Sequence, residues 1–159
     1  MTKRSASARQ LRVLVDADAC PVKEEVYTVA ARYGVAVTLV ANSRLHVPAR
    51  LRVEMVVVDG ALDAADDWIA ESVRAGDVVV TADIPLAARC LASSARVLGT
   101  NGRPFTQDSI GGALATRDLK TQLRDSGIHS RGPAAISPKD RSRFLSKLDE
   151  WLKLDLRER

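Results

Sequence analysis

The sequence predicts an α/β fold: a three-layer α/β/α arrangement around a central, mostly parallel sheet of about five strands, with further helices at the C-terminus. Three observations predict it. Five short segments rich in β-branched residues recur along the first two-thirds of the chain, several of them apolar throughout, as strands covered on both faces are. Apolar stripes at helical spacing separate these segments, and such alternation implies right-handed crossovers and a parallel sheet. At 159 residues, 46% of them hydrophobic, the chain has the length of one domain and enough apolar material for a core.

The candidate strands are residues 11–16, 35–41, 53–59, 77–81 and 95–98. Between them, Val22, Val26, Val29 and Tyr33 share a helix face, and Gly34 stands where that helix would stop. Ala65, Trp68, Ile69 and Val73 form a second stripe ended by Gly76, and Leu86, Ala87, Cys90 and Leu91 a third. Residues 110–126 and 137–156 read as two more helices, joined by the turn-prone stretch 127–138. Ser137, Pro138 and Asp140 supply an N-cap, an N1 proline and an acid at N3, close to a capping box. Phe144, Leu148, Trp151 and Leu152 then form one apolar face. The expected organisation is a disordered Ser/Ala/Arg-rich lead over residues 1–10, then one domain over 11–156 that carries its last helices as a tail.

Composition narrows the function classes. No apolar run is long enough to span a bilayer, and none of signal-peptide length follows the basic start, so a soluble, cytoplasmic protein with no membrane partner is expected. Cys20 and Cys90 lie far apart with no CxxC spacing, which argues against a zinc site or a disulfide framework. The net charge of +4 permits an anionic partner such as nucleic acid without selecting one.

The chemistry-bearing residues are acids. Asp16 ends the first strand and Asp18 follows two residues later, so both carboxylates can face one site in extended chain. Asp83 stands two residues beyond the fourth strand, just before a helix. In doubly wound sheets the first strand commonly neighbours the fourth, and ligands bind in the crevice between them. Asp63 and Asp66 add a third group at a helix start. Clustered carboxylates repel, and a divalent cation is the simplest compensation. Oxygen donors without His or Cys select Mg²⁺ or Mn²⁺. The structural reading of each residue differs. Asp63 serves equally well as an N-cap, and Asp66 would gain from the helix dipole. Asp16 and Asp83 close buried strands, which is costly for unpaired carboxylates, so for them a functional role leads. Asp59 reads as a turn residue and Asp67 as solvated.

Several of these segments, in this order, resemble the YaiI/YqxD family of bacterial proteins. The matching stretches are Val15-Asp16-Ala17-Asp18-Ala19-Cys20-Pro21, Val40-Ala41-Asn42, Asp63-Ala64-Ala65-Asp66 and Thr81-Ala82-Asp83-Ile84-Pro85-Leu86-Ala87, with Arg117-Asp118, Gly132-Pro133 and Asp140-Arg141 further on. The resemblance runs from about Leu11 to Leu152 and implies a PIN-like nuclease fold. It maps a nuclease's acidic positions onto Asp16, Asp18, Asp66 and Asp83, with Asp63 as a further metal ligand, and leaves out Asp59 and Asp67.

Around the acids, Lys23 could meet a phosphate from the first turn of its helix. The stretch 42–52 holds Asn42, Arg44, His46, Arg50 and Arg52 without an acid, and reads as a backbone-binding loop or a solvated one. Asn42, Arg44, Arg50 and Arg117 complete the candidate substrate contacts with Lys23. Cys20 at a helix start lacks the nearby Arg of a phosphatase loop and reads as a packing residue. The favoured function is a Mg²⁺- or Mn²⁺-dependent nuclease acting on RNA. A haloacid-dehalogenase-like phosphohydrolase with Asp16 as nucleophile and Asp18 as acid is one alternative. A non-catalytic RNA- or protein-binding module is the other.

Overall fold

The all-apolar strands form because both faces of the sheet are covered. The computed structural model describes residues 10–49, 52–61, 63–125 and 135–157, with the backbone alone for 117–125. Residues 1–9 of the expected lead, and the expected turn up to residue 134, lie outside the described residues. The five expected strands are β1 (Arg12–Asp16), β2 (Ala36–Ala41), β3 (Val53–Val57), β4 (Val78–Val80) and β5 (Arg96–Leu98), parallel throughout in the order β3-β2-β1-β4-β5. A sixth, β6 (Pro104–Phe105), pairs antiparallel with β5. It has no counterpart among the sequence expectations, because two residues beginning with proline show no periodicity.

The helices are α1 (Lys23–Tyr33), α2 (Ala64–Ser72), α3 (Ile84–Ala92), α4 (Gln107–Asp125) and α5 (Pro138–Arg157). Side-chain alternation along the strands divides the core in two. Val13, Val15, Val37, Leu39, Val78 and Val80 face α1 and α5, whereas Leu14, Val40, Val79 and Val97 face α2, α3 and the start of α4. The architecture is therefore three-layer α/β/α. The last helix is not a tail, however. Phe144, Leu148 and Leu152 are all fully buried beneath the sheet. At roughly 1.5–3 kcal/mol for each such side chain, α5 contributes on the scale of a whole domain's net stability, about 5–15 kcal/mol. Its apolar stripe was legible, but a stripe does not say what it packs against.

Local signals hold where the chemistry is local. Gly34 ends α1 with φ +65° and donates its N–H to the carbonyls of Ala30 and Ala31. Gly76, with φ +89°, sits in the turn before β4 rather than at the end of α2, which stops at Ser72. The capping box at α5 is formed: Asp140 N–H donates to Ser137 Oγ at 3.0 Å, and Ser137 N–H to Asp140 Oδ2 at 3.3 Å. The loop between β5 and β6 is seated on α5 through Gly102, where a Cβ would stand 2.4 Å from the Phe144 nitrogen. Arg143 Nη1 secures that contact by donating to the Asn101 carbonyl at 3.0 Å.

Candidate functional site

β1 and β4 lie side by side, with Val15 opposite Val80, and their onward connections run to opposite sides of the sheet. Their carboxyl ends thus form the switch point where open α/β sheets bind ligands. Asp16 closes β1 there, half-buried. Asp83 follows β4 and caps α3: its Oδ1 accepts the Leu86 N–H at 2.9 Å. Thr81 joins the two acids. Its hydroxyl donates to Asp16 Oδ2 at 2.8 Å and accepts the Asp83 N–H at 2.9 Å. Sequence reasoning missed Thr81, although a lone polar residue after three valines and two before an acid was a usable signal.

Asp66, in the first turn of α2, completes the group. Burial pushes its carboxyl up to about 6, helped by the negative charges of Asp83, Asp16 and Asp63 and by a hydrogen bond with Asp83 that favours the protonated form. Burial also raises the Asp16 carboxyl above its ordinary range; the bond from Thr81 opposes this, and the charges of Asp83 and Asp18 add to it. Three elements distant in sequence therefore bring Asp16, Asp66 and Asp83 close enough to feel one another's charge. No ion pair compensates any of the three among the described residues. Nor, among those residues, do three or more His, Cys, Asp or Glu side chains already converge on a single ion position. The acids are coupled but not closed into a ligand set.

The other candidates divide. Asp63 precedes α2 at the N-cap position, yet its exposed side chain makes no cap hydrogen bond. Asp18 is exposed, on a short 3₁₀ turn (Ala17–Ala19), and both its oxygens accept the Asn42 N–H, at 3.1 and 3.0 Å. Lys23 donates to the carbonyls of Cys20 (3.0 Å) and Ala17 (3.4 Å), so it braces the turn that carries Asp18. Arg44 and His46 are exposed, while Leu45 and Val47 between and after them pack on the core. Arg52 turns away to the Gly34 carbonyl at 2.6 Å. Arg50 lies outside the described residues, as does His129, and Arg117 lies on α4 where only the backbone is described. Asp59 is exposed, and Asp67 is exposed and ion-paired with Arg89 at 2.9 Å.

Beside the acids opens a cleft of about 600 Å³, lined by Asp18, Cys20, Lys23, Ala82, Thr100 and Arg141 among others. Arg141 reaches across to the Pro21 carbonyl at 2.8 Å and to Glu25. Cys20 is buried, and burial pushes its thiol up, which makes it a packing residue rather than a nucleophile. No helix among the described residues is long and apolar enough to cross a membrane.

Comparison with known proteins adds the family. The model of the YaiI/YqxD family, described as uncharacterised, matches residues 14–154. A UPF0178 protein of Rhodopseudomonas palustris (strain BisB5) is 53% identical over 148 residues, covering 93% of this chain and 90% of the relative. One from Brucella ovis is 59% identical over 138 residues, 86% of each chain, and one from Bradyrhizobium diazoefficiens is 52% identical over 148 residues, covering 93% of this chain and 89% of the relative. No solved structure matches. The chain belongs to the YaiI/YqxD family.

Proposed function

We propose that this member of the YaiI/YqxD family is a Mg²⁺- or Mn²⁺-dependent nuclease of the cytoplasm that hydrolyses phosphodiester bonds in RNA, with Asp16, Asp66 and Asp83 as its acidic centre. The observation that carries the proposal is the gathering of these three carboxylates at the β1/β4 switch point with no ion pair among the described residues, where burial first and the neighbouring negative charges second push Asp66 up to about 6. The donor set fits a hard divalent cation by its chemistry: oxygen atoms only, negative, and mutually repelling. Such a cation supplies Lewis acidity toward water and phosphate oxygens.

The chain's own residues do the rest. Thr81 fixes the separation of Asp16 and Asp83, and the start of α3 holds Asp83 through Leu86 N–H. Asp66 exchanges a proton near neutral pH, which suits a general acid or base. Arg44 supplies positive charge on the neighbouring loop for the sugar–phosphate backbone. His46 is exposed on the loop after β2, and the charges that raise Asp16 and Asp66 are all carboxylates, so among the described residues no histidine joins the acidic group as a general base.

The test is cleavage of single-stranded and structured RNA in Mn²⁺, Mg²⁺ or EDTA, together with calorimetric titration of Mn²⁺ into wild type and Asp16→Asn. Metal-dependent cleavage and weaker Mn²⁺ binding by the variant are expected. One observation favours a second reading, a non-catalytic RNA-binding module: Asp16, Asp18 and Asp83 all accept hydrogen bonds from the protein. RNA binding indifferent to Mn²⁺, with no cleavage, selects that reading.

A further inference from the structure

We infer that Asp18 is a positioning residue for the basic loop after β2, holding it so that Arg44 meets a nucleic-acid backbone, rather than one of the acids that take a cation. The inference rests on the nucleic-acid reading above but concerns a different job for one of its acids. β1 and β2 pair in register from Arg12 opposite Ala36 to Asp16 opposite Val40. Two residues further on each strand come Asp18 and Asn42. There the backbone ladder has ended, and the Asp18 carboxylate takes over as partner of the Asn42 N–H, with both oxygens within 3.1 Å.

The turn bearing Asp18 is itself braced. Lys23, from the first turn of α1, donates to the carbonyls on either side of it, Ala17 and Cys20. The clamp therefore runs from α1 through the turn to the first residue of the loop. Beyond Asn42 the loop alternates: Arg44 and His46 are exposed, whereas Leu45 and Val47 are half-buried against the core. Leu45 and Val47 hold the loop's inner side to the core, so fixing its first residue sets where the intervening Arg44 stands. Asp18 fixes that residue.

The sign of one substitution separates this role from the others. A carboxylate beside a polyanion repels it, so removing Asp18 for its charge alone tightens RNA binding. Removing a positioning residue loosens it. Binding of a fluorescent single-stranded oligoribonucleotide is measured by anisotropy in EDTA over a range of KCl, for wild type, Asp18→Ala and Asp18→Asn. Asp18→Ala is expected to bind roughly three- to tenfold more weakly, with a salt slope lower by about 0.7 as one phosphate contact is lost. Asp18→Asn keeps an acceptor oxygen and loses the charge, so it is expected to bind at least as tightly as wild type. Equal or tighter binding by Asp18→Ala overturns the inference, as does loss of calorimetric Mn²⁺ binding in Asp18→Asn to the extent seen in Asp16→Asn.

A second readout does not depend on RNA. Amide hydrogen exchange across residues 42–47, above all at Asn42 N–H, should quicken in Asp18→Ala and return to the wild-type rate in Asp18→Asn. Failure of wild type to bind any RNA would end the nucleic-acid reading, and exchange would still decide whether Asp18 orders the loop. Unchanged exchange in Asp18→Ala overturns the positioning role.

Discussion

The two ends of β4 carry the same side chain in opposite circumstances. Asp77, immediately before the strand, is buried at 5% exposure and fully answered: Arg12 Nε donates to its Oδ2 at 3.0 Å, Arg74 N–H at 2.8 Å, and Arg12 Nη2 also donates to the Ser72 carbonyl. Asp83, three residues past the same strand, sits with Asp16 and Asp66, and none of them forms an ion pair among the described residues; the nearby Arg89 is paired with Asp67. One end of the sheet resolves a buried charge by pairing it; the other gathers charge and leaves it unresolved. A structural carboxylate is recognised by its partner, a functional one by the lack of compensation that a ligand would supply.

The comparison can be broken, most severely first, at the acidic end. Asp83→Asn keeps size and the cap acceptor but deletes a charge, so RNA cleavage in Mn²⁺ should fall by roughly two to three orders of magnitude or more while circular dichroism stays as wild type. Cleavage that survives in the variant or in EDTA comes from a contaminating nuclease. At the other end, Arg12→Ala leaves Asp77 buried and unpaired, and urea unfolding should show a loss of about 3 kcal/mol with cleavage per folded molecule unchanged. A loss no greater than a surface substitution's would mean that water replaces the guanidinium.

Asp66→Asn should act in the reverse direction. The folded-state carboxyl is raised from 3.8 to about 6, so the folded protein binds the proton more tightly than the unfolded chain does. Stability then falls as pH rises through that interval, and the deficit persists above it. Replacing the acid removes the deficit, so the variant should be the more stable protein at pH 7.5. The gain is about 1 kcal/mol after allowing for solvent screening at a half-exposed site, and it should vanish by pH 4. A thermal melt series over pH settles it, and equal melting points at pH 7.5 would deny the unresolved charge. The smallest effect belongs to the loop: Arg44→Gln should lower the salt slope of RNA binding by roughly 0.7 to 0.9, against no change if Arg44 is merely solvated.

How far the sequence told of all this follows from the range of each interaction. Strands such as Val78–Val80 announce themselves because burial on both faces needs an unbroken apolar run. The β1/β4 adjacency was legible because doubly wound sheets have few orders, and it brought Asp16 to Asp83 correctly. What stayed hidden depends on single side chains crossing between segments. Thr81 bridging two acids, Lys23 bracing a turn and Asp18 binding Asn42 have no periodic trace, and the legible stripe of α5 did not name the sheet face it closes. The β6 strand is too short to have one.

Because α5 covers the β1-centred face of the sheet, the order in which a ribosome delivers the chain matters. β1 to β5 and α1 emerge before residues 138–157, so Val13, Val15 and Leu39 wait with half their cover missing until Phe144, Leu148 and Leu152 arrive. A nascent chain stalled short of Phe144 presents an apolar sheet face to its surroundings, the condition under which partly folded chains stick to one another or engage chaperones. Messages truncated within α5 should therefore yield insoluble product rather than a smaller, working protein.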